Sequence, residues 1–316
     1  MNFVFIGASR FGLRCLELAK SAPGCNLTGV VTAPRSFPIS YRPQGVTNVL
    51  YADLASFAAD LSLPCQVITN GMNDSALLDV VRSWRPDAFL VVGWYHMVPK
   101  SWRDLAPAYG LHASLLPDYS GGAPLVWAII NGEKKTGITL FQMDDGVDSG
   151  PIVAQAEEPI FEDDTIAALY ERIESRGLDL LRSALPELAL GTAVLRPQSQ
   201  EGRRVMPQRG PEDGVIDWLN KACYLERFVR AQTRPYPGAF FLHLHARVYV
   251  WKARAVEYDS TLPPGSPLLI GSDVGVVCGQ GVLLLEEAEI GEQRLRGESL
   301  YQWLCVDSQG RCKEGQ

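Results

Sequence analysis

Apolar and polar positions follow two different rhythms along this chain, and the change of rhythm divides it. Residues 2–6 form a short apolar run ending at Gly7; Phe11, Cys15, Leu16 and Ala19 then recur at helical spacing before a second apolar run over 27–32. Strand, helix and strand in such quick succession predict the start of a parallel sheet. A helix over 52–61, a strand over 65–68, a helix over 75–84 and a buried strand over 88–92 continue the alternation. Residues 34–51 are polar, carry three prolines, and read as a long mobile loop able to close over a ligand. Further on, Asp164 is placed to cap a helix whose residues Ile166, Leu169, Tyr170, Ile173, Leu180, Leu181 and Ala184 form one apolar stripe, ending near Pro186 or Gly191. From Pro211 the runs shorten. After a helix over 222–232, segments 240–244, 247–253, 268–270, 274–278 and 282–285 are separated by Gly and Pro turns, with a last helix over 298–305. Such spacing predicts a small β-barrel.

The pattern as a whole predicts an α/β chain. A Rossmann-like, mostly parallel sheet with helices on both faces covers 1–192, a polar linker containing Pro197, Pro207, Arg203, Arg204 and Arg209 covers 193–210, and a small OB-like barrel covers 211–316. With 316 residues, 47% of them hydrophobic, the chain is long enough for two separate cores. Its net charge of −7 argues against a partner held mainly by phosphate neutralisation. The segment from Met206 onward makes the same point, with 12 Lys plus Arg against 14 Asp plus Glu, a net of −2. Nucleic acid is therefore disfavoured as a partner. Cysteines at 15, 25, 65, 223, 278, 305 and 312 form no CxxC pair, and an odd number cannot all pair within the chain, which fits a reduced, cytoplasmic protein. The opening MNFVFIGASRFG lacks the parts of a secretory leader, and no apolar run reaches the roughly 18 to 20 residues that span a bilayer.

Chemistry concentrates between Gly110 and Pro151, in GLHASLLPDYSGGAPLVWAIINGEKKTGITLFQMDDGVDSGP. Dense polar and Gly-rich loops between apolar runs are where a scaffold holds reactive side chains within reach. His112 and Asp148 stand 36 residues apart with a helix and a strand between them, a return path able to bring the carboxylate beside the imidazole. There it would orient the ring and stabilise its charged form, which suits proton transfer. Ligands of open parallel sheets lie beyond the carboxyl ends of the strands, which puts Trp94, Tyr95, His96 and Met97 near the same place. The loop Gly7-Ala-Ser-Arg-Phe-Gly12 lacks both the dinucleotide spacing and a P-loop lysine. His243 and His245 are too few ligands for a metal, and none is expected.

The words GLHASLLP, YSGGAP, WAIINGE, TGITLFQMD and GVDSGPIV resemble, in order and spacing, the core of the folate-dependent formyltransferase family, whose branches act on methionyl-tRNA and on amino sugars. MNFVFIG resembles the family's first strand, and PEDGVIDW with RPYPGAF resembles the start of its C-terminal barrel domain, so the resemblance covers nearly the whole chain. It implies transfer of a formyl group from N10-formyltetrahydrofolate to an amine. It places the pterin against Trp94, Tyr95, His96 and Met97 and against Asp144, Asp145, Gly146 and Val147. It also implies that His112 stabilises or protonates the tetrahedral intermediate and that Asp148 orients it and helps deprotonate the amine. Ser114, Gly121, Gly122 and Arg209 would face the acceptor.

Two positions depart from the family. Its catalytic triplet is Asn-x-His, and here Gly110 takes the place of the Asn, whose amide donates to the developing oxyanion. Losing such a donor costs roughly 10²–10³ in rate. A replacement donor (the Gly110 N–H, a water or Asn131), a donor on the substrate, or a lost or altered activity are all open. Ser120 stands where many members carry Arg. The acceptor expected is a small amine, either a nucleotide-linked amino sugar or an amino-acid or natural-product precursor, with Arg203, Arg204 and Arg209 offering a diphosphate clamp. Methionyl-tRNA, hydrolysis of the formyl donor, and a silent folate-binding relative are the alternatives.

Overall fold

The computed structural model describes residues 1–39, 42–68, 71–199 and 201–306. Cys312, and Ser40 and Tyr41 of the 34–51 stretch, lie outside them. The chain divides into two compact units: Met1–Pro124, Lys135–Pro159 and Glu171–Met206 form the first, and Leu125–Lys134, Ile160–Tyr170 and the chain from Pro207 form the second.

The elements follow the predicted alternation. They are β1 (Asn2–Ile6), α1 (Arg10–Ser21), β2 (Asn26–Thr32), β3 (Ser36–Ile39), β4 (Arg42–Thr47), α2 (Leu54–Asp60), β5 (Cys65–Val67), α3 (Ser75–Ser83), β6 (Ala88–Val91), α4 (Lys100–Arg103), β7 (Ala108–His112), β8 (Ser120–Gly121), α5 (Pro124–Asn131), β9 (Lys135–Gln142), β10 (Ile152–Pro159), α6 (Ile166–Leu190) and β11 (Val205–Met206). Helix starts are set by short polar side chains: Ser9, Asp53 and Asp74 each accept a backbone N–H of the first turn, from Gly12, Ser56 and Ala76. Seven strands form one sheet in the order β10-β9-β7-β6-β1-β2-β5, parallel from β5 to β7 and antiparallel at β9 and β10. Phe3, Val4, Phe5, Ile6 and all of β6 are buried, as expected of central parallel strands covered on both faces. The chain leaves β1 towards β2 on one side and leaves β6 towards β7 on the other, so a crevice opens at the carboxyl ends of β1 and β6. The backbone there is tight: a Cβ on Gly93 would lie 1.9 Å from Ser9 Oγ, and one on Gly7 2.4 Å from the Val92 carbonyl oxygen.

Within the predicted loop of 34–51, the segments Ser36–Ile39 and Arg42–Thr47 are strands. β3 and β4 pair antiparallel, with Ser36 opposite Thr47 and Phe37 opposite Val46. Phe37 is buried in the core, and its burial outweighs the prolines, which a two-stranded ribbon tolerates on its unpaired edges. The cap of α6 also differs from expectation. Thr165 Oγ1 accepts the Ala168 N–H at 3.3 Å, while the Asp164 carboxylate accepts the Phe161 N–H at 2.7 Å. The predicted stripe of α6 is buried or half-buried, and the helix runs through Pro186 to Leu190 before Gly191 turns with φ +68°.

The second unit adds a 3₁₀ turn at Pro211–Gly214, α7 (Ala222–Gln232), β12 (Ala239–His243), β13 (Ala246–Val256), β14 (Pro267–Ile270), β15 (Asp273–Val277), β16 (Val282–Ile290), β17 (Gln293–Leu295) and α8 (Gly297–Cys305). Its strands form a barrel-like antiparallel sheet in the order β12-β13-β16-β15-β14, with β17 on β16. His245 falls in the turn after β12 with φ +66°, so it shares no strand face with His243. The six described cysteines are free, and burial pushes the thiols of Cys65 and Cys278 up to about 11, which marks them as packing residues. Among the described residues, no helix is long and apolar enough to cross a membrane.

Candidate active site

His112 ends β7, in register with Thr139 of β9, and Gly110 lies two residues back on the same face. The His112 Nε2 lies 2.8 Å from the Tyr119 carbonyl oxygen. A carbonyl only accepts, so this nitrogen carries the proton and the other, Nδ1, faces the Asp148 Oδ2 at 3.4 Å. That separation is longer than a good hydrogen bond. The same Oδ2 accepts the Gly121 N–H at 2.8 Å. The two side chains are 11% and 23% exposed, shielded yet reachable from solvent. Asp148 and Tyr119 both adopt the left-handed region, with φ of +50° and +54°.

Gly110 is in register with Val91 on one side and Phe141 on the other, so its backbone groups are committed to the sheet. A Cβ at that position would lie 2.5 Å from Met143 Cε and 3.3 Å from the Phe141 ring. The methionine methyl thus fills the space where a longer side chain would begin. Asn131 belongs to the second unit.

The turn after His112 is closed by its own polar groups. Ser114 is 1% exposed, and its hydroxyl donates to the Asp118 carbonyl at 2.7 Å, while Thr139 Oγ1 donates to the Ser114 carbonyl at 2.6 Å. The Gly122 N–H donates to the Met206 carbonyl at 2.9 Å. In the loop before Asp148, Asp144 Oδ1 accepts from the Gly146 N–H at 3.0 Å and from Ser149 Oγ at 2.7 Å. Asp145 is exposed and pairs with Arg103 at 2.5 Å, a guanidinium that holds its carboxyl below the usual range. Val147 is exposed.

Beyond β6 the chain builds an aromatic cluster. The Phe37 ring lies 5.4 Å from Tyr95 and 5.3 Å from His96, and Trp94 lies 5.4 Å from His96. Trp94 Nε1 donates to the Met72 sulfur at 3.3 Å, and the Tyr95 hydroxyl donates to Asn48 Oδ1 at 3.2 Å. His96 Nε2 is buried without a hydrogen-bond partner, and burial pushes the imidazole below its ordinary value. Met97 is 65% exposed at the rim.

The three arginines of the sequence-predicted clamp are each engaged within their own unit. Arg203 donates from Nε to Ser120 Oγ at 3.3 Å and from Nη2 to the Val147 carbonyl. Arg204 pairs with the Asp118 carboxylate and covers the Tyr119 ring at 4.3 Å. Arg209 donates to the Asp213 carbonyl and to Gln232 Oε1 and lies over the Trp127 ring, and its burial pushes its pKa down. Tyr119 and Gln198, which the sequence did not single out, touch the His112–Asp148 site, as a carbonyl and as a side-chain amide on the Asp148 backbone. Contacts of side chain to backbone across fifty residues leave no periodic mark in a sequence. Among the described residues, no group of three or more His, Cys, Asp or Glu side chains is placed to hold a metal ion.

The sequence matches two family models, formyl transferase over residues 26–185 and formyl transferase, C-terminal domain, over residues 209–303. A methionyl-tRNA formyltransferase of Caldanaerobacter subterraneus subsp. tengcongensis is 31% identical over 299 residues, covering 93% of this chain and 94% of that protein. Two solved structures share the fold. An N-formyltransferase from Helicobacter canadensis, solved with folinic acid and dTDP-3-aminofucose, superposes with a TM-score of 0.64 at 14% identity, covering 91% of this chain and 99% of that one. HypX from Aquifex aeolicus, in complex with tetrahydrofolic acid, gives a TM-score of 0.59 at 17% identity over 94% of this chain. The match covers 46% of HypX, so this chain spans less than half of that protein.

Proposed function

Because this chain belongs to the formyl transferase family, we propose that it moves a formyl group from N10-formyltetrahydrofolate to the amine of a small acceptor. The observation that carries the reading is the approach of His112 to Asp148 within 3.4 Å at the carboxyl end of a central strand. The aromatic cluster fits the donor's flat heterocycle: Tyr95 and Met97 offer apolar surface at the rim, and the buried His96 Nε2 lacks a partner. Bound there, the donor supplies the formyl carbon. The transfer forms a bond from the acceptor nitrogen to that carbon, breaks the bond to the donor's N10, and passes a proton from one nitrogen to the other. Asp148, held by the Gly121 N–H, accepts the proton from the amine. His112 donates to the oxygen that gains charge, and to do so it exchanges a protein oxygen for the substrate's.

A small acceptor is supported by the second segment's charge, −2 from Met206 onward, and by three arginines already engaged within the chain. Methionyl-tRNA is the second reading, favoured by the relative of that name at 31% identity. The deciding experiment follows release of tetrahydrofolate from N10-formyltetrahydrofolate with no amine, with a panel of amino sugar nucleotides and amino acids, and with methionyl-tRNA. Amine-dependent release, abolished in His112→Ala and Asp148→Asn, is expected. Release without amine would mean hydrolysis of the donor, binding without release would mean a silent relative, and release with methionyl-tRNA alone would replace the small acceptor.

A further inference from the structure

We infer that the segments 196–199 and 201–206 act as a strap that positions Asp148 opposite His112, with Gln198 and Arg203 as its two clamps. The inference rests on the reading of His112 and Asp148 as the reacting pair. The strap begins where Arg196 and Ile152 exchange backbone hydrogen bonds of 2.8 and 2.7 Å, at the start of the strand that follows the Asp148 loop. The Gln198 amide then donates twice from one nitrogen, to the carbonyl of Asp148 at 2.9 Å and to that of Gly150 at 2.6 Å. Arg203 joins the two sides of the site, donating to the carbonyl of Val147, the neighbour of Asp148, and to the hydroxyl of Ser120, the neighbour of Gly121. Finally β11 pairs with β8 in parallel, with Val205 opposite Ser120 and Met206 opposite Gly121.

Two physical points raise this above ordinary loop packing. Asp148 and Tyr119 are both non-glycine residues in the left-handed region, a conformation that persists only where the surroundings over-determine it. Each is held by the strap. Gln198 fixes the Asp148 carbonyl, while Arg204 covers the Tyr119 ring and its own carbonyl accepts the Ser120 N–H at 3.1 Å. The close approach also explains Gly121, whose φ is +90° and where a Cβ would lie 2.4 Å from the Met206 carbonyl oxygen. The Gly121 N–H holds the reacting oxygen of Asp148, and the Tyr119 carbonyl holds the ring of His112. One segment therefore sets the backbone on both sides of the 3.4 Å gap.

The test compares Gln198→Leu, Gln198→Glu, Arg203→Met and Arg203→Lys with the wild-type chain, with Lys20→Ala, exposed at the end of α1 and outside the strap, as the variant expected to be silent. Turnover is measured as tetrahydrofolate release with the member of the acceptor panel that supports the fastest wild-type release, and amide hydrogen exchange is followed across 118–122 and 144–150. A displacement of about 1 Å costs up to roughly 10² in rate, so Gln198→Leu is expected to lower kcat by about that factor with KM for the folate donor little changed. Exchange at the Gly121 amide should quicken while β6 and β7 stay protected. Arg203→Lys, which keeps a donor, should recover part of what Arg203→Met loses. Gln198→Glu keeps the size of the side chain and covers the case in which the leucine variant does not fold. Its carboxylate cannot donate to two carbonyls at neutral pH, and its rate relative to wild type should rise as the pH falls and it protonates. Wild-type kcat and exchange in both Gln198 variants would overturn the strap, provided Asp148→Asn is dead. If Asp148→Asn and His112→Ala keep wild-type turnover, the reading of the site itself fails instead.

Discussion

At the scale of single residues the informative position is Gly110. The resemblance carried by the sequence words implies an amide side chain at this position, with the glycine as its replacement. What the sequence could not show is the occupant of that space, because Met143 lies 33 residues on and reaches the spot from just past the end of β9. Asn at 110 must push aside the Met143 methyl, the far end of a flexible side chain, and press on the Phe141 ring. Overpacking of this kind destabilises by ~1–3 kcal/mol. We therefore expect Gly110→Asn to melt several degrees below wild type yet turn over faster, and Gly110→Asn combined with Met143→Ala to turn over faster still, approaching the roughly 10² that one oxyanion donor contributes. Thermal melts and steady-state tetrahydrofolate release check both halves. A double variant no faster than Met143→Ala alone would show that the site lacks more than this one donor.

At the scale of elements, the alternating strands and helices were legible because the buried strands β1 and β6 are continuous apolar runs and α1, α2 and α3 each start at a Ser or Asp that caps them. The pairing of β3 with β4 was not legible. The two strands are short and proline-bearing, and the buried Phe37 has its partners Tyr95 and His96 almost sixty residues away. That packing has a consequence for pH. His96 is kept neutral by burial, so below the ordinary imidazole value of 6.5 the unfolded chain binds a proton that the folded chain refuses. Stability contributed by this group is thus present above 6.5 and is lost as the pH falls below it. Urea midpoints measured at pH 7.5 and 5.5 should drop for wild type, and the drop should be smaller in His96→Leu. An equal drop in both would assign the acid sensitivity to other groups.

At the scale of the whole molecule, a separate C-terminal antiparallel sheet was legible in the change of rhythm along the chain, whereas the way the chain is shared between two compact units was not. It passes from one compact unit to the other five times, lending residues 125–134 and 160–170 to the second. Such sharing depends on contacts distant in sequence, which local periodicity does not encode. The chain's charge, by contrast, is readable from composition and bears directly on the acceptor. A partner that neutralises six to ten phosphates loses roughly 10³–10⁵ in affinity between 50 and 200 mM salt, because each contact releases condensed counterions. A chain of net charge −7, with a net of −2 from Met206 onward, has little excess positive charge to spend in that way. Formyl transfer to the small amine should therefore keep nearly the same kcat/KM across that salt range, whereas a tRNA acceptor held along its backbone would lose orders of magnitude. Steady-state rates in a potassium chloride series, with the folate donor saturating so that only acceptor binding varies, separate the two. A steep fall with salt would mean that the arginines of this chain leave their internal partners for phosphate and that the acceptor is a nucleic acid.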